Sequence, residues 1–463
     1  MKENKNLRAF AWSFIDGIGS QGTQLIIAII LARMLTPEDF GFIAIASIVI
    51  YLSNILSDSG LSSSLIRQRN ASDDDFTTVF YTNISIGVII YALIIIASSY
   101  STYFIDKNTY ILYIKIYGVT ILFTSLEQIQ KTKLMLDLNF KQQTKATFLS
   151  VIVSGITAIA LAYYGYGLWA LILQSVSASF VRCLSLWINV GWIPKGKFTL
   201  ATFNKHFTYG YKLLLSNIID IIYKYTFNLI IGKFYSISEL GNYNQATRLS
   251  EVPSITISTI IRRVNYPIIS KLKSDNNSYN ESIKLTILFL ATSFIPACIW
   301  VSLYSHSIIH LLLGNKWFVA GDFLSSLIIA FMLTPITNIM GNVLQTEGRS
   351  DLYLKLRVFN KITTAVALFF VYDAGMKYIL FLIIISNLLE LLSASLIIIK
   401  LKYINPLQIF DSSFVYPIIL SILVLCIRLV IPDNLEFFSL SKSFILLLVF
   451  ISAINIKLWK KIR

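Results

Sequence analysis

Long apolar runs separated by short polar turns cover almost the whole chain of 463 residues. A transmembrane helix needs roughly 20 mostly apolar residues, and about fourteen runs are long enough. The pattern therefore predicts an all-α membrane protein with about fourteen transmembrane helices. The predicted spans are residues 10–34, 40–66, 76–105, 109–130, 144–165, 167–191, 206–232, 240–267, 282–313, 319–346, 350–373, 377–401, 407–431 and 437–457.

An internal repeat divides these spans into two groups. The turn at residues 33–41 aligns with residues 233–241 at an offset of 200. Thr36 and Ser236 are common helix N-cap residues, and the acid three positions later, Asp39 or Glu239, can complete a capping box. Each copy joins the first two spans of a six-span half. We therefore predict one lobe at residues 1–200, a second at 201–403, and an extra helix pair at 404–463.

Composition supports a membrane protein and explains the net charge. The chain is 56% hydrophobic and 14% charged, whereas soluble domains carry about 25% charged residues. A net charge of +15 is also typical of nucleic-acid binders. Here, however, most basic residues fall in segments that would lie on the same side of the membrane. If both termini are cytoplasmic, that side is the cytoplasmic one, in agreement with the positive-inside rule. The charge then faces anionic lipid, and we predict no nucleic-acid partner. The three dispersed cysteines predict neither a disulfide framework nor a metal site.

Polar residues line one face of each of the first two spans. Span two places Tyr51, Asn54 and Asp58 at helical spacing, and span one contains Asp16 and Gln24. Ionisable groups inside a membrane are costly, so they face a protein interior or an aqueous pathway. Uncharged polar residues are enough to bind two helices together. The carboxylates therefore favour a cavity wall over simple interhelical contact.

Charged residues recur in spans six to eight. Asp220 and Lys224 are four residues apart and Arg248 and Glu251 three apart, so each pair could neutralise itself and hold its helix in register. Alternatively, they line a hydrated cationic cavity that binds phosphate, for which the planar fork of arginine is suited. We predict substrate-binding roles for Gln24, Asn54, Arg182, Lys224, Asn244 and Arg248, and charge-tuning or ion-coupling roles for Asp16, Asp58, Asp220 and Glu251.

Two other motifs favour structural interpretations. His306 and His310 have a spacing that can bind metal, but no third ligand accompanies them, so an interfacial pair is favoured. Residues 72–75 contain the DxD pattern of sugar-nucleotide enzymes. They also open span three, where Ser72 and the acids can cap the helix and complement its dipole. We therefore predict no metal, no catalytic residue and no enzymatic activity.

The opening hairpin carries a family resemblance. Leu35-Thr36-Pro37-Glu38-Asp39-Phe40-Gly41, followed by Gly60-Leu61 and Leu65-Ile66-Arg67-Gln68, closely resembles the first hairpin of polysaccharide-transporting flippases. These belong to the multidrug/oligosaccharidyl-lipid/polysaccharide exporter superfamily. Similar later landmarks are Leu240-Gly241-Asn242-Tyr243 with Arg248-Leu249, Arg263-Val264-Asn265-Tyr266-Pro267, and Leu313-Gly314-Asn315-Lys316-Trp317.

The resemblance implies two six-helix lobes that form a V around a central cavity. It further implies that undecaprenyl-pyrophosphate-linked oligosaccharide moves between leaflets of the bacterial plasma membrane by alternating access, with coupling to a proton or sodium gradient. The implied partners are the lipid bilayer and the polysaccharide polymerase and chain-length machinery, with the transporter itself a monomer.

Two alternatives stay open. A membrane-embedded polymerase or acyltransferase would be expected to carry a larger outer loop, whereas the longest here have only about ten residues. A cation-coupled small-molecule exporter of the same superfamily shares the fold, and only the hairpin argues against it.

Overall fold

The computed structural model describes residues 19–58, 60–68, 71–100, 108–271 and 276–401, and all regular structure within these ranges is helical. The predicted pair at 404–463 and Asp16 lie outside the described residues. The α-helices are α1 (Gln21–Met34), α2 (Pro37–Asp58), α3 (Leu61–Arg67), α4 (Asp73–Tyr100), α5 (Asn108–Leu136), α6 (Phe140–Tyr163), α7 (Leu168–Val190), α8 (Leu200–Phe234), α9 (Ile237–Lys271), α10 (Asn276–Phe289), α11 (Ile295–Leu303), α12 (Ser305–Leu312), α13 (Phe318–Phe331), α14 (Thr334–Thr346), α15 (Ser350–Val371) and α16 (Met376–Lys400).

Apolar length and outward-facing apolar side chains identify a multi-pass membrane protein. Within the described residues, eight helical stretches are long and apolar enough to cross a bilayer. On α4, for example, Ile89, Leu93 and Ile96 are all more than half exposed. Such a surface is unfavourable in water but suits contact with lipid chains. The all-helical membrane class predicted from the sequence is confirmed.

Several predicted spans are interrupted helices. Span two divides at Gly60, whose positive φ of 70° is readily adopted only by glycine. Span nine divides into α10, a π-helical segment at Leu290–Phe294, α11 and α12. Span ten divides into α13 and α14, and the latter begins with Pro335 in its first turn, where a missing N–H costs no helical hydrogen bond. Hydropathy identified the apolar runs but could not show these breaks.

The chain forms two compact units, Met1–Gly241 and Asn242–Arg463. In the first, α7 packs along α5 and α6, and α4 packs against α5. Its largest described apolar cluster includes Leu31, Ile121 and Ile172, all nearly inaccessible to solvent. Helix α8 and the first turn of α9 belong to this unit, although they follow residue 200. The predicted lobes, residues 1–200 and 201–403, are the parts expected to move in a transport cycle. That division stays a prediction.

The second unit has its own packing. Helix α13 packs against α11, α12 and α16, and α15 packs against α16. The indole of Trp317, in the 3₁₀ turn before α13, is completely buried. Between α15 and α16, Asn360 Nδ2 donates to the Ser386 carbonyl at 3.3 Å. The hydroxyls of Thr364 and Ser386 lie 2.6 Å apart. These buried polar groups of α15 and α16 are thus paired across the two helices.

Capping boxes begin the two helices of the repeated motif. The Thr36 N–H donates to Asp39 Oδ2 at 3.0 Å, and the Asp39 N–H donates back to Thr36 Oγ1 at 3.3 Å. In the second copy, the Ser236 N–H donates to Glu239 Oε2 at 3.2 Å and the Glu239 N–H to Ser236 Oγ at 3.0 Å. Each box satisfies two otherwise unpaired N–H groups. The local geometry predicted for both motifs is confirmed.

Candidate substrate-binding site

The polar face of α2 is paired with a polar face of α5. Asn54 Oδ1 accepts a hydrogen bond from Thr124 Oγ1 at 2.6 Å. Asp58 Oδ1 accepts one from Gln128 Nε2 at 3.0 Å, and the Ser62 hydroxyl, one turn along, also donates to it. Two predicted site residues are therefore fixed by helix α5, to which the sequence analysis gave no role. The spacing of Thr124 and Gln128 was the signal that could have revealed it.

Helix α5 also supplies the partner of Arg182. Arg182 Nε on α7 donates to Glu127 Oε1 at 2.7 Å. The Glu127 side chain is 5% exposed, whereas that of Arg182 is 33% exposed. Glu127 precedes Gln128, so adjacent residues of one helix bind the charged residues of α7 and α2. The sequence analysis missed Glu127, because its partner is 55 residues away along the chain.

The remaining predicted site residues that the structure describes lie on α1, α8 and α9. On α8, Asp220 and Lys224 are both exposed, and Gln24 is exposed on α1. In the second unit, Asn244, Arg248 and Glu251 on α9 are half-buried. The side chains of Asn54, Asp58 and Arg182 thus all contact helix α5 in the first unit. Their predicted functional roles remain predictions.

The acids of the DxD motif bind the segment that follows α7. Trp192 Nε1 donates to Asp73 Oδ1 at 3.4 Å, and the Lys197 N–H donates to Asp74 Oδ1 at 2.7 Å. The next acid, Asp75, contacts the first turns of α8. Successive acids therefore hold successive points along residues 192–206. We call these three acids and the residues they bind the aspartate clasp.

Asp75 is the buried centre of this clasp. Its Oδ1 lies 3.1 Å from Lys205 Nζ and 2.9 Å from His206 Nε2. Its Oδ2 accepts from the Ser72 N–H and hydroxyl and from Gln68 Nε2 at 2.8–3.1 Å. His206, only 1% exposed, contacts the Ser64 hydroxyl through Nδ1 at 2.8 Å. The carboxylate therefore caps α4, as predicted, and also joins α3, α4 and α8.

A second close contact joins the two capping motifs. A Cβ added to Gly41 would overlap the carbonyl oxygen of Ile237, and one added to Gly241 would overlap that of Pro37. The repeat aligns Gly41 with Gly241 and Pro37 with Ile237, so the contact is reciprocal. Both positions require glycine because the neighbouring atom is backbone. We call residues 37–41 and 237–241 the glycine crossing.

His306 of the predicted histidine pair is bonded to an acid on the next helix. His306 Nε2 lies 3.0 Å from Asp322 Oδ1, and the imidazole stacks near the Phe318 ring. Across the described ranges, no three His, Cys, Asp or Glu side chains are grouped so that they could hold a metal ion. His306 is therefore engaged in a polar contact between α12 and α13.

A family model described as "Polysaccharide biosynthesis protein" matches residues 30–322, more than half of the chain. The chain belongs to the polysaccharide biosynthesis protein family. The match begins in α1 and ends in α13. It includes the glycine crossing, the aspartate clasp and the residues of α5 that bind Asn54, Asp58 and Arg182. The family resemblance predicted from the hairpin is confirmed.

Curated relatives extend the likeness across bacterial species. The chain is 25% identical to the teichuronic acid biosynthesis protein TuaB of Bacillus subtilis over 344 residues, covering 74% of this chain and 71% of TuaB. It is 23% identical to a putative O-antigen transporter of Shigella flexneri, covering 70% of this chain and 80% of that protein.

A solved structure shows the fold. The lipid II flippase MurJ in an inward closed conformation aligns with 98% of this chain and 99% of its own, with a TM-score of 0.72 and 15% identity. At that identity the likeness establishes the fold alone. The fold, the family match and the transporter among the relatives agree with the predicted class of membrane transporter rather than membrane enzyme. The transporter among the relatives favours transport over the alternative of a polymerase or acyltransferase.

Proposed function

We propose that the chain is a flippase that moves undecaprenyl-pyrophosphate-linked oligosaccharide repeat units across the bacterial plasma membrane. The product would be a surface polysaccharide such as O-antigen, capsule or exopolysaccharide. The family match over residues 30–322 carries this proposal. The names of the relatives and of MurJ refer to teichuronic acid biosynthesis, O-antigen transport and lipid II flipping. These names support a lipid-linked saccharide as the substrate class over a small drug-like molecule.

The proposed mechanism is alternating access of two lobes, residues 1–200 and 201–403, that form a V around a cavity. Both termini are placed in the cytoplasm, because that orientation puts most basic residues on the inner side. The glycine crossing then lies at the outer end of the helices, and the aspartate clasp at the cytoplasmic end. Opening the cavity outward requires the crossing to separate, since it is a backbone contact between the first and second copies of the repeat.

The proposed binding residues act through positive charge. Arg182, Lys224 and Arg248 would attract the pyrophosphate, and the arginines could each bond two oxygens. Asn54 and Asp58 would shape the site, because Thr124 and Gln128 already hold their side chains in place. Coupling to a proton or sodium gradient, a monomeric state and cooperation with a polymerase are further parts of this proposal.

A charge-removal experiment tests the binding site. Replacing Lys224 and Arg248 together by Ala should abolish surface polysaccharide in a complemented deletion strain while membrane protein levels stay normal. Lys233→Ala is the matched control, since it removes a lysine from the last turn of α8, beside the Phe234 ring and away from the proposed site. Full polysaccharide export by the double variant would indicate that both residues have a structural role and do not bind substrate.

A further inference from the structure

The two side chains of the ion pair between Glu127 and Arg182 differ in burial. The glutamate is almost fully buried and the arginine is one-third exposed. They share one hydrogen bond, from Nε to Oε1. The second carboxylate oxygen, Glu127 Oε2, is buried and accepts no hydrogen bond from any described residue. A carboxylate has about four acceptor positions, so Glu127 depends on a single partner to remain charged.

Two other carboxylates of the first unit, Asp58 and Asp75, are better satisfied than Glu127. Asp58 accepts hydrogen bonds from the neutral Gln128 and Ser62. Asp75 is bonded through both oxygens to four side chains and a backbone N–H. Neither carboxylate relies on one cation that a ligand could take away. Of these three carboxylates, Glu127 is therefore the one whose charge is most sensitive to the loss of its partner.

Few other charges can replace Arg182 beside Glu127. Lys131 lies one turn further along α5, and its charge acts on Glu127 more weakly than that of Arg182. On α7 the neighbouring titratable group is the thiol of Cys183. The carboxylate of Asp58 on α2 is bonded to Gln128, the residue that follows Glu127. A buried carboxylate that loses its cation becomes neutral by binding a proton, because an unpaired buried charge is very unfavourable.

We propose that Glu127 is an exchangeable counter-ion: a phosphate oxygen of the lipid-linked substrate replaces it at Arg182, and Glu127 takes up a proton. Before exchange, the guanidinium pairs with the carboxylate. After exchange, the guanidinium pairs with the phosphate, and the carboxylic acid carries a proton from the solvent. This inference rests on the proposed function, and it adds a proton site to the proposed substrate site.

The exchange would couple substrate binding to pH without a separate ion site. Each bound phosphate raises the number of protons on the protein by about one, so linkage requires affinity to fall as pH rises. The apparent affinity should weaken by up to about tenfold per pH unit while free Glu127 stays ionised and the bound form protonated. Movement of the substrate away from Arg182 would release the proton and restore the ion pair.

The test measures proton uptake on ligand binding with the purified full-length protein. The probe is farnesyl pyrophosphate, titrated calorimetrically in several buffers of different ionisation enthalpy. At about pH 8 the probe's own phosphates are almost fully ionised. The wild-type protein should take up about one proton per bound probe. Glu127→Gln should bind the probe with no uptake and with an affinity that does not change with pH.

Asp74→Asn is the control, because it neutralises an acid of the first unit that lies outside the proposed substrate site and bonds the Lys197 N–H. It should retain the proton uptake of the wild type. Binding without uptake by the wild type, or loss of uptake in Asp74→Asn alone, would overturn the inference while leaving the proposed function intact. No probe binding by the wild type would count against the proposed function itself. If Glu127→Gln does not fold, the wild-type proton count decides, because binding without proton uptake contradicts the exchange.

Discussion

The glycine crossing and the aspartate clasp both join the first 200 residues to residues that follow, but with opposite chemistry. The crossing depends on the absence of side chains, since a single added methyl group at Gly41 or Gly241 overlaps backbone. The clasp depends on particular side chains, with Asp75 bonded to groups from three helices and the buried His206 among them. The glycine crossing can separate without leaving a buried charge unpaired, whereas the aspartate clasp cannot.

Because of this difference, we expect the glycine crossing to open more easily than the aspartate clasp. Separation of the crossing exposes backbone surfaces whose helical hydrogen bonds stay within each helix. Separation of the clasp would break a network centred on a carboxylate that is 4% exposed. The crossing is therefore the junction expected to open in the proposed cycle, and the clasp the junction expected to hold.

The largest effect is expected from breaking the clasp at its centre. Asp75→Ala leaves His206, Gln68 and Ser72 without their acceptor and should lower the free energy of unfolding by about 3–5 kcal/mol. Asp74→Ala is the matched control, because that exposed acid bonds only the Lys197 N–H and should cost about 1 kcal/mol or less. Melting of the detergent-purified variants compares them. Equal losses would show that burial of Asp75 confers no special importance.

A smaller effect is expected at the crossing. Gly41→Ala must push α2 away from the Ile237 carbonyl and should cost about 1–3 kcal/mol. The double change with Gly241→Ala should cost less than the sum of the two, because contacting residues are not additive. Gly22→Ala is the control, since no atom of the described residues outside its own helix backbone lies within 4 Å of its added Cβ. Additive losses, or a loss of equal size at Gly22, would contradict the reciprocal contact.

The smallest effect is expected from the caps. Thr36→Ala and Ser236→Ala should each cost about 1 kcal/mol, because each removes the hydroxyl that accepts an N–H in its capping box. The two melting temperatures should fall by similar amounts, since the boxes have the same geometry. A marked difference between them would indicate that the repeat is similar in sequence only.

The extent to which sequence predicted these features follows from how local each one is. Capping boxes span four residues, so Thr36–Asp39 and Ser236–Glu239 could be predicted from spacing alone. The aligned glycines were visible in the repeat, but their contact joins residues 200 positions apart and required coordinates. The clasp was understood only as a helix cap, because its partners follow Asp73–Asp75 by more than 110 residues.

The site shows the same limit. Asn54 and Asp58 were found from the helical spacing of polar residues, whereas their partners on α5 were overlooked. Glu127 stands near the end of a predicted span, where a charge needs no special explanation. Its burial against Arg182 is a tertiary fact. Sequence patterns therefore located one half of each pair, and packing supplied the other half.

The central claim is that the chain moves a lipid-linked oligosaccharide between leaflets. The direct measurement uses purified protein in unilamellar vesicles that contain undecaprenyl-pyrophosphate-linked oligosaccharide in both leaflets. An impermeant sugar-modifying reagent is added outside. The account predicts that essentially all of the oligosaccharide becomes modified when the protein is present, and only the outer half in protein-free vesicles. If the inner half stays protected in tight, protein-containing vesicles across the tested ion gradients, the flippase assignment is contradicted.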